Sequence, residues 1–146
     1  MRRAVVAATL VAMMLMLPAG VAFAVEKLGT QAGNNLRGTT GNDTIYARGG
    51  NDRVLGLGGA DELYGAQGKD GLQGYRGNDT LHGGVGDDRI VGGAGFDELS
   101  GGFGSDILNS QDGSGNDLVN CGFNAGDVAR VDPGDQTLAC EVVLLP

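Results

Sequence analysis

The chain has little to build a conventional core with. Its 146 residues include no tryptophan, three tyrosines and four phenylalanines, so large rings, which carry much of the buried area in most cores, are nearly missing. Basic residues are also scarce, with 10 Lys and Arg against 18 Asp and Glu. That balance excludes a nucleic-acid footprint and makes anionic surfaces repellent. The one histidine is His82, and neither an H-E-x-x-H helix nor a G-x-S-x-G elbow is present, so the chain lacks the signatures of zinc proteases and serine hydrolases. Ser, Thr and Lys are too sparse to suggest a nucleophile and base, and Glu62 and Glu98 read as a solvated face rather than a carboxylate pair. The expectation is a protein that is not an enzyme.

Long hydrophobic runs are absent apart from Ala4 to Leu17, which is short for a membrane span. It follows Met1-Arg2-Arg3 and precedes Pro18 and Ala22-Phe23-Ala24. A basic start, an apolar stretch and an A-x-A site describe a secretory signal peptide over residues 1–24. Removing it takes away Arg2 and Arg3, leaving 8 basic and 18 acidic residues, a net charge of −10. The expectation is a secreted, extracellular bacterial protein with no membrane span after cleavage.

Glycine, by contrast, is abundant at 29 residues, and it is periodic. From Gly38 to Asn109 the chain runs through eight contiguous nonapeptides. The fourth position of each is Gly, as in Gly86, Gly95 and Gly104. The sixth is Asp: Asp43, Asp52, Asp61, Asp70, Asp79, Asp88, Asp97 and Asp106. The eighth is a branched aliphatic: Ile45, Val54, Leu63, Leu72, Leu81, Ile90, Leu99 and Leu108. The last three residues alternate polar, aliphatic, polar, the pattern of a short half-buried strand with the eighth side chain inward. The six before them form a loop whose glycines allow positive φ, so carbonyl oxygens can turn inward around an Asp carboxylate. Oxygen donors of both kinds suit calcium, which takes 6–8 in flexible geometry. Zinc would want Cys or His, and magnesium demands strict octahedral geometry.

These units resemble the repeats-in-toxin (RTX), haemolysin-type calcium-binding repeat, GGxGxDxUx. The best matches are Gly83 to Asp88, Gly92 to Asp97 and Gly101 to Asp106. The resemblance implies an all-β fold, a parallel β-roll (β-solenoid) with two repeats per coil. It also implies calcium held between the loops of repeats n and n+2. The implied ligands are the eight sixth-position Asp residues and Asp117, with carbonyls of turns containing Gly84, Gly86, Gly93, Gly95, Gly102 and Gly104. Eight units allow six such n/n+2 pairs, hence about six Ca2+ ions.

In the first five units position 2 is Thr39, Arg48, Leu57, Ala66 and Tyr75 rather than Gly. Side chains there should strain the turn, placing the tightest calcium around Asp88, Asp97 and Asp106. A ninth unit, Asp112 to Asn120, follows two inserted residues, Ser110 and Gln111. The organisation expected is a leader at 1–24, an N-terminal cap and degenerate repeat at 25–37, the roll at 38–120 and a C-terminal cap at 121–146. Cys121 and Cys140 in that last segment of an exported chain read as one disulfide. With so small a core and so much glycine backbone to order, calcium binding is expected to decide folding. The functional expectation is a secreted calcium-binding protein. The alternative is a calcium-rigidified structural or adhesive module with a cell-surface or cell-wall partner, or another copy.

Overall fold

The computed structural model describes residues 23–124 and 126–146. The leader read at 1–24 lies outside them except for Phe23 and Ala24. Fourteen strands follow one another: β1 Glu26–Leu28, β2 Asn35–Arg37, β3 Thr44–Tyr46, β4 Arg53–Gly58, β5 Glu62–Gln67, β6 Gly71–Arg76 and β7 Thr80–Val85. The rest are β8 Arg89–Ala94, β9 Glu98–Phe103, β10 Ile107–Asn109, β11 Leu118–Phe123, β12 Val128–Arg130, β13 Gln136–Leu138 and β14 Val142–Leu144. Among the described residues there is no helix, and so none long and apolar enough to cross a membrane.

The odd strands form one seven-stranded sheet and the even strands another, each in sequence order. All neighbours are parallel, as in β5–β7 and β4–β6. The chain therefore changes sheet with every nonapeptide and closes a coil every two, giving the expected parallel β-solenoid of about seven turns. Within each sheet identical positions stack: Ile45 on Leu63 and Leu63 on Leu81 in one, Val54 on Leu72 and Leu72 on Ile90 in the other. All eight eighth-position side chains are essentially fully buried, with Val119 and Ala129 continuing the columns. A core one residue thick from each sheet is what an aliphatic every ninth residue can fill.

The structure extends the sequence reading in three places. Strands β4 to β9 and β11 are six residues long, because pairing with the next coil continues through the three residues after each short strand, although the middle one has a positive φ. The insertion at Ser110-Gln111 is absorbed in the loop before β11, and Val119 still stacks on Leu99. Beyond Asn120, β12 pairs with β10, β13 with β11 and β14 with β12. The segment read as a C-terminal cap is thus made of further coils, and β1 and β2 begin the stack at the other end.

Cys121 and Cys140 are joined, Cα to Cα 5.0 Å, tying buried Cys121 of β11 to the turn before β14. Both β13 and β14 are exposed throughout, so this bond holds a coil with little burial of its own. Closing a loop of this length contributes about 3 kcal/mol by chain entropy. The C121S/C140S double variant should therefore need more calcium to fold, and limited proteolysis should cut first after Leu138. Circular dichroism during a calcium titration, with mass spectrometry of the fragments, checks both.

Candidate metal site

Each sixth-position Asp sits where a loop enters a strand, and the coil stacks these residues along two edges. Asp43, Asp61, Asp79, Asp97 and Asp117 precede odd strands; Asp52, Asp70, Asp88 and Asp106 precede even ones. All are buried. Oδ1 of each accepts a backbone N–H from one coil earlier, that of Val25 for Asp43, of Asn34 for Asp52 and of the preceding Asp for the rest. On the first edge Asp61 accepts from Asp43 at 2.8 Å, Asp79 from Asp61 at 2.8 Å, Asp97 from Asp79 at 2.9 Å and Asp117 from Asp97 at 2.8 Å. On the second, Asp70 accepts from Asp52 at 2.7 Å, Asp88 from Asp70 at 2.8 Å and Asp106 from Asp88 at 2.9 Å.

The second oxygen is different. Oδ2 of Asp52, Asp61, Asp70, Asp79, Asp88, Asp97, Asp106, Asp117 and Asp127 is buried without a hydrogen-bond partner. A buried carboxylate oxygen left unpaired is costly. No donor among the described residues hydrogen-bonds to it. A β-carbon built on Gly65 would lie 2.5 Å from Asp70 Oδ2 and 2.6 Å from the Gly83 carbonyl oxygen. The same pairing recurs beside Gly74 (Asp79 with the Gly92 carbonyl) and Gly83 (Asp88 with the Gly101 carbonyl). A bare carboxylate oxygen beside a carbonyl oxygen from the next coil fits a hard cation. Among the described residues no three His, Cys, Asp or Glu side chains converge as a metal cage. A cation here would take most of its ligands from backbone oxygens.

Asp43 is the exception. Its carboxylate accepts the Thr39 hydroxyl, 3.1 Å to either oxygen, and also the Thr39 amide. Sequence reasoning saw Thr39 only as a residue that would strain its turn; it instead supplies the donor that the other loops lack. Strain does occur at the other four side-chain positions, where φ is +80° at Arg48, +95° at Leu57, +80° at Ala66 and +84° at Tyr75. The corresponding Gly84, Gly93 and Gly102 adopt the same region, at +116°, +121° and +111°, without a Cβ penalty. Gly86, Gly95 and Gly104 share it; each packs against the carbonyl of the fourth-position glycine one coil earlier, leaving no room for a side chain.

Asp127 escaped the sequence reading. Its Oδ1 accepts the Asp106 amide at 2.8 Å and its Oδ2 is among the orphans. The signal was Gly126-Asp127-Val128-Ala129, blurred by one extra residue and an alanine in the eighth place. Asp135 ends the first edge with both oxygens served, Oδ1 by the Asp117 amide and Oδ2 by the Ser110 hydroxyl and the Asp132 amide.

Burial pushes these carboxyls up from the ordinary 3.8: Asp79 and Asp88 to about 7, and Asp61 and Asp117 to about 6, with neighbouring carboxylates adding to the effect. Asp70, Asp97 and Asp106 move the same way, burial again first. A cation or a proton can satisfy the edge.

A solenoid with two columns of half-paired aspartates belongs to the class of repeat proteins whose loops are built for cations. The model of the RTX calcium-binding nonapeptide repeat matches residues 28–63, 64–99 and 82–119, and the chain belongs to that family. No curated protein and no solved structure matches it.

Two outcomes are expected. Asp97→Ala removes an orphan in the middle of an edge and should raise the calcium midpoint by about tenfold, the equivalent of about 1.4 kcal/mol. Asp43→Ala should shift it far less, since Thr39 already serves that carboxylate; calcium titrations of both variants by circular dichroism compare them. The raised values also set a pH dependence without metal. Groups that hold protons more tightly when folded favour folding at low pH, and that contribution is lost as pH rises through about 6 to 7. In chelator the β signal should therefore grow on acidification from pH 8 to about 5, while added calcium at pH 5 should bind more weakly because protons compete.

Proposed function

We propose that this chain is a secreted protein that binds several Ca2+ ions along both loop edges and folds when it does so. The observation that carries this is the set of nine buried, unpartnered Asp Oδ2 atoms, of which those of Asp61, Asp70, Asp79, Asp88 and Asp106 share the space over a glycine with a backbone carbonyl of the next coil. Asp61, Asp79, Asp97 and Asp117 would hold ions on one edge. Asp52, Asp70, Asp88, Asp106 and Asp127 would hold them on the other. Successive orphans define three intervals on the first edge and four on the second, one more than the six counted from contiguous repeats, because Asp117 and Asp127 join and Asp43 drops out. Bound calcium supplies the positive charge that lets adjacent carboxylates approach. The residues themselves do the rest: Oδ1 holds the coil above through its amide, Oδ2 and the glycine carbonyls form the ion's shell, and the eighth-position aliphatics close the core.

Export and a non-enzymatic role complete the reading. The basic, apolar, A-x-A beginning would carry the chain out, unfolded where calcium is scarce. His82 is stacked on Tyr64 at 5.1 Å, which is itself stacked on Tyr46 at 4.8 Å. An imidazole that forms one rung of a surface ladder, with Glu62 and Glu98 exposed beside it, serves packing and solvation better than catalysis.

A calcium titration followed by circular dichroism tests the proposal. The chain should lack β signal in chelator and gain it at ~0.1–1 mM calcium, the range of extracellular modules, with magnesium at the same concentration failing. A folded, protease-resistant chain in chelator at neutral pH would overturn it.

A further inference from the structure

The loop edges are occupied by the calcium sites, but the two outer sheet faces are not, and their charges are segregated. Strands of the even sheet carry Arg37, Arg53, Arg76, Arg89 and Arg130, all exposed, and no Asp or Glu. Strands of the odd sheet carry Glu26, Glu62 and Glu98, also exposed. The only Lys or Arg among them is Lys27, which stands in register with buried Ile45 and donates to the Arg37 carbonyl.

The spacing on the two faces is the same. Arg53 and Arg89 flank Gly71 in direct register, two strands apart. Glu62 and Glu98 flank Thr80 in the same way. Both separations are about 9.6 Å, twice the strand spacing, because both pairs recur every four nonapeptides. Neither guanidinium has an ion-pair partner; the one salt bridge among the described residues is Lys69–Asp87. Between the two arginines lies a groove of about 350 Å³, floored by Gly71 and bordered by Leu55, Gln73 and Val91.

The geometry points to a second copy of this chain as the partner of the arginine face, docking its own glutamate face there. The inference rests on the calcium-folded solenoid proposed above. All strands of a solenoid run in one sense when viewed from outside, so the seventh and ninth positions of the two faces coincide when the two axes are antiparallel. Arg53 then meets Glu98 of the second copy, Arg89 meets its Glu62, and its Thr80 enters the notch at Gly71. In the neighbouring column Val91 meets the Tyr64 ring of the second copy. Each copy keeps its other face free, so the contact is heterologous and builds open stacks rather than closed dimers. Calcium promotes it twice, by folding the faces and by offsetting the formal charge of −10 left once residues 1–24 are removed, which five divalent ions would cancel. Exposed pairs of this kind are individually weak and screened by salt, so assembly depends on the matched set.

A charge-swap experiment in calcium tests this, with mass read by analytical ultracentrifugation and folding read by circular dichroism. The wild-type chain should form species that grow with concentration and dissolve in high salt. R53E/R89E alone and E62R/E98R alone should be folded monomers, and mixing them should restore alternating stacks. If a reversed pair fails to fold, R53Q/R89Q and E62Q/E98Q replace it, each expected to lose the large species alone. A folded wild type that stays monomeric at all concentrations overturns the inference while leaving the calcium reading intact, as does a folded variant that assembles as well as wild type. A monomeric wild type retained on polyphosphate also overturns it, in favour of an anionic polymer. A wild type without β signal in calcium overturns the proposed function and this contact together.

Discussion

From Asp43 and Asp52 onward, successive coils of the solenoid are fastened by a carboxylate that accepts the backbone N–H of the aspartate one coil earlier. That bond uses one oxygen of two. The repeat offers one such amide per step, and beside Asp61, Asp70, Asp79, Asp88 and Asp106 a carbonyl of the next coil shares the space next to the second oxygen. An edge assembled in this way is complete in shape and incomplete in charge. Burial raises the proton affinity of the same carboxylates, because the bare anion has lost its water there. On the function proposed above, folding and cation binding form one equilibrium, because the ligands converge only when the coils are stacked.

The ends of the first edge differ from its middle for the same reason. Thr39 donates to Asp43, and Ser110 with the Asp132 amide donates to Asp135. Protein donors close the ladder where no further coil would share an ion. Between these ends the loops are graded. Arg48, Leu57, Ala66 and Tyr75 hold left-handed backbone with a side chain attached, which costs of order 1 kcal/mol or more each. From Gly84 onward glycine occupies the position, so the later loops reach the same conformation with less strain.

The outer faces are released from these constraints, since neither the core nor the loops depend on them. What they inherit from the repeat is its pitch. A residue type recurring at one position of alternate coils becomes a straight column, whether aromatic, as with Tyr46, Tyr64 and His82, or charged, as with Glu62 and Glu98.

The nine-residue period alone determined that the eighth position faces inward and that aspartates line the loops; the parallel solenoid is what the resemblance of the units to the RTX repeat implied. The first two properties are set within a single unit by backbone freedom and the alternation of side chains along a strand. Tertiary structure decided what depends on contacts between units. It brought Asp127 into the second edge and made residues after Asn120 into coils, because parallel pairing restores register after an insertion that a count along the chain cannot bridge. It turned Thr39 from a source of strain into the donor for Asp43, and it left one oxygen of each middle aspartate bare. It also sorted arginines and glutamates onto opposite faces. A residue's neighbours in a solenoid lie eighteen or more positions away, and only the stacked coils bring them within bonding distance.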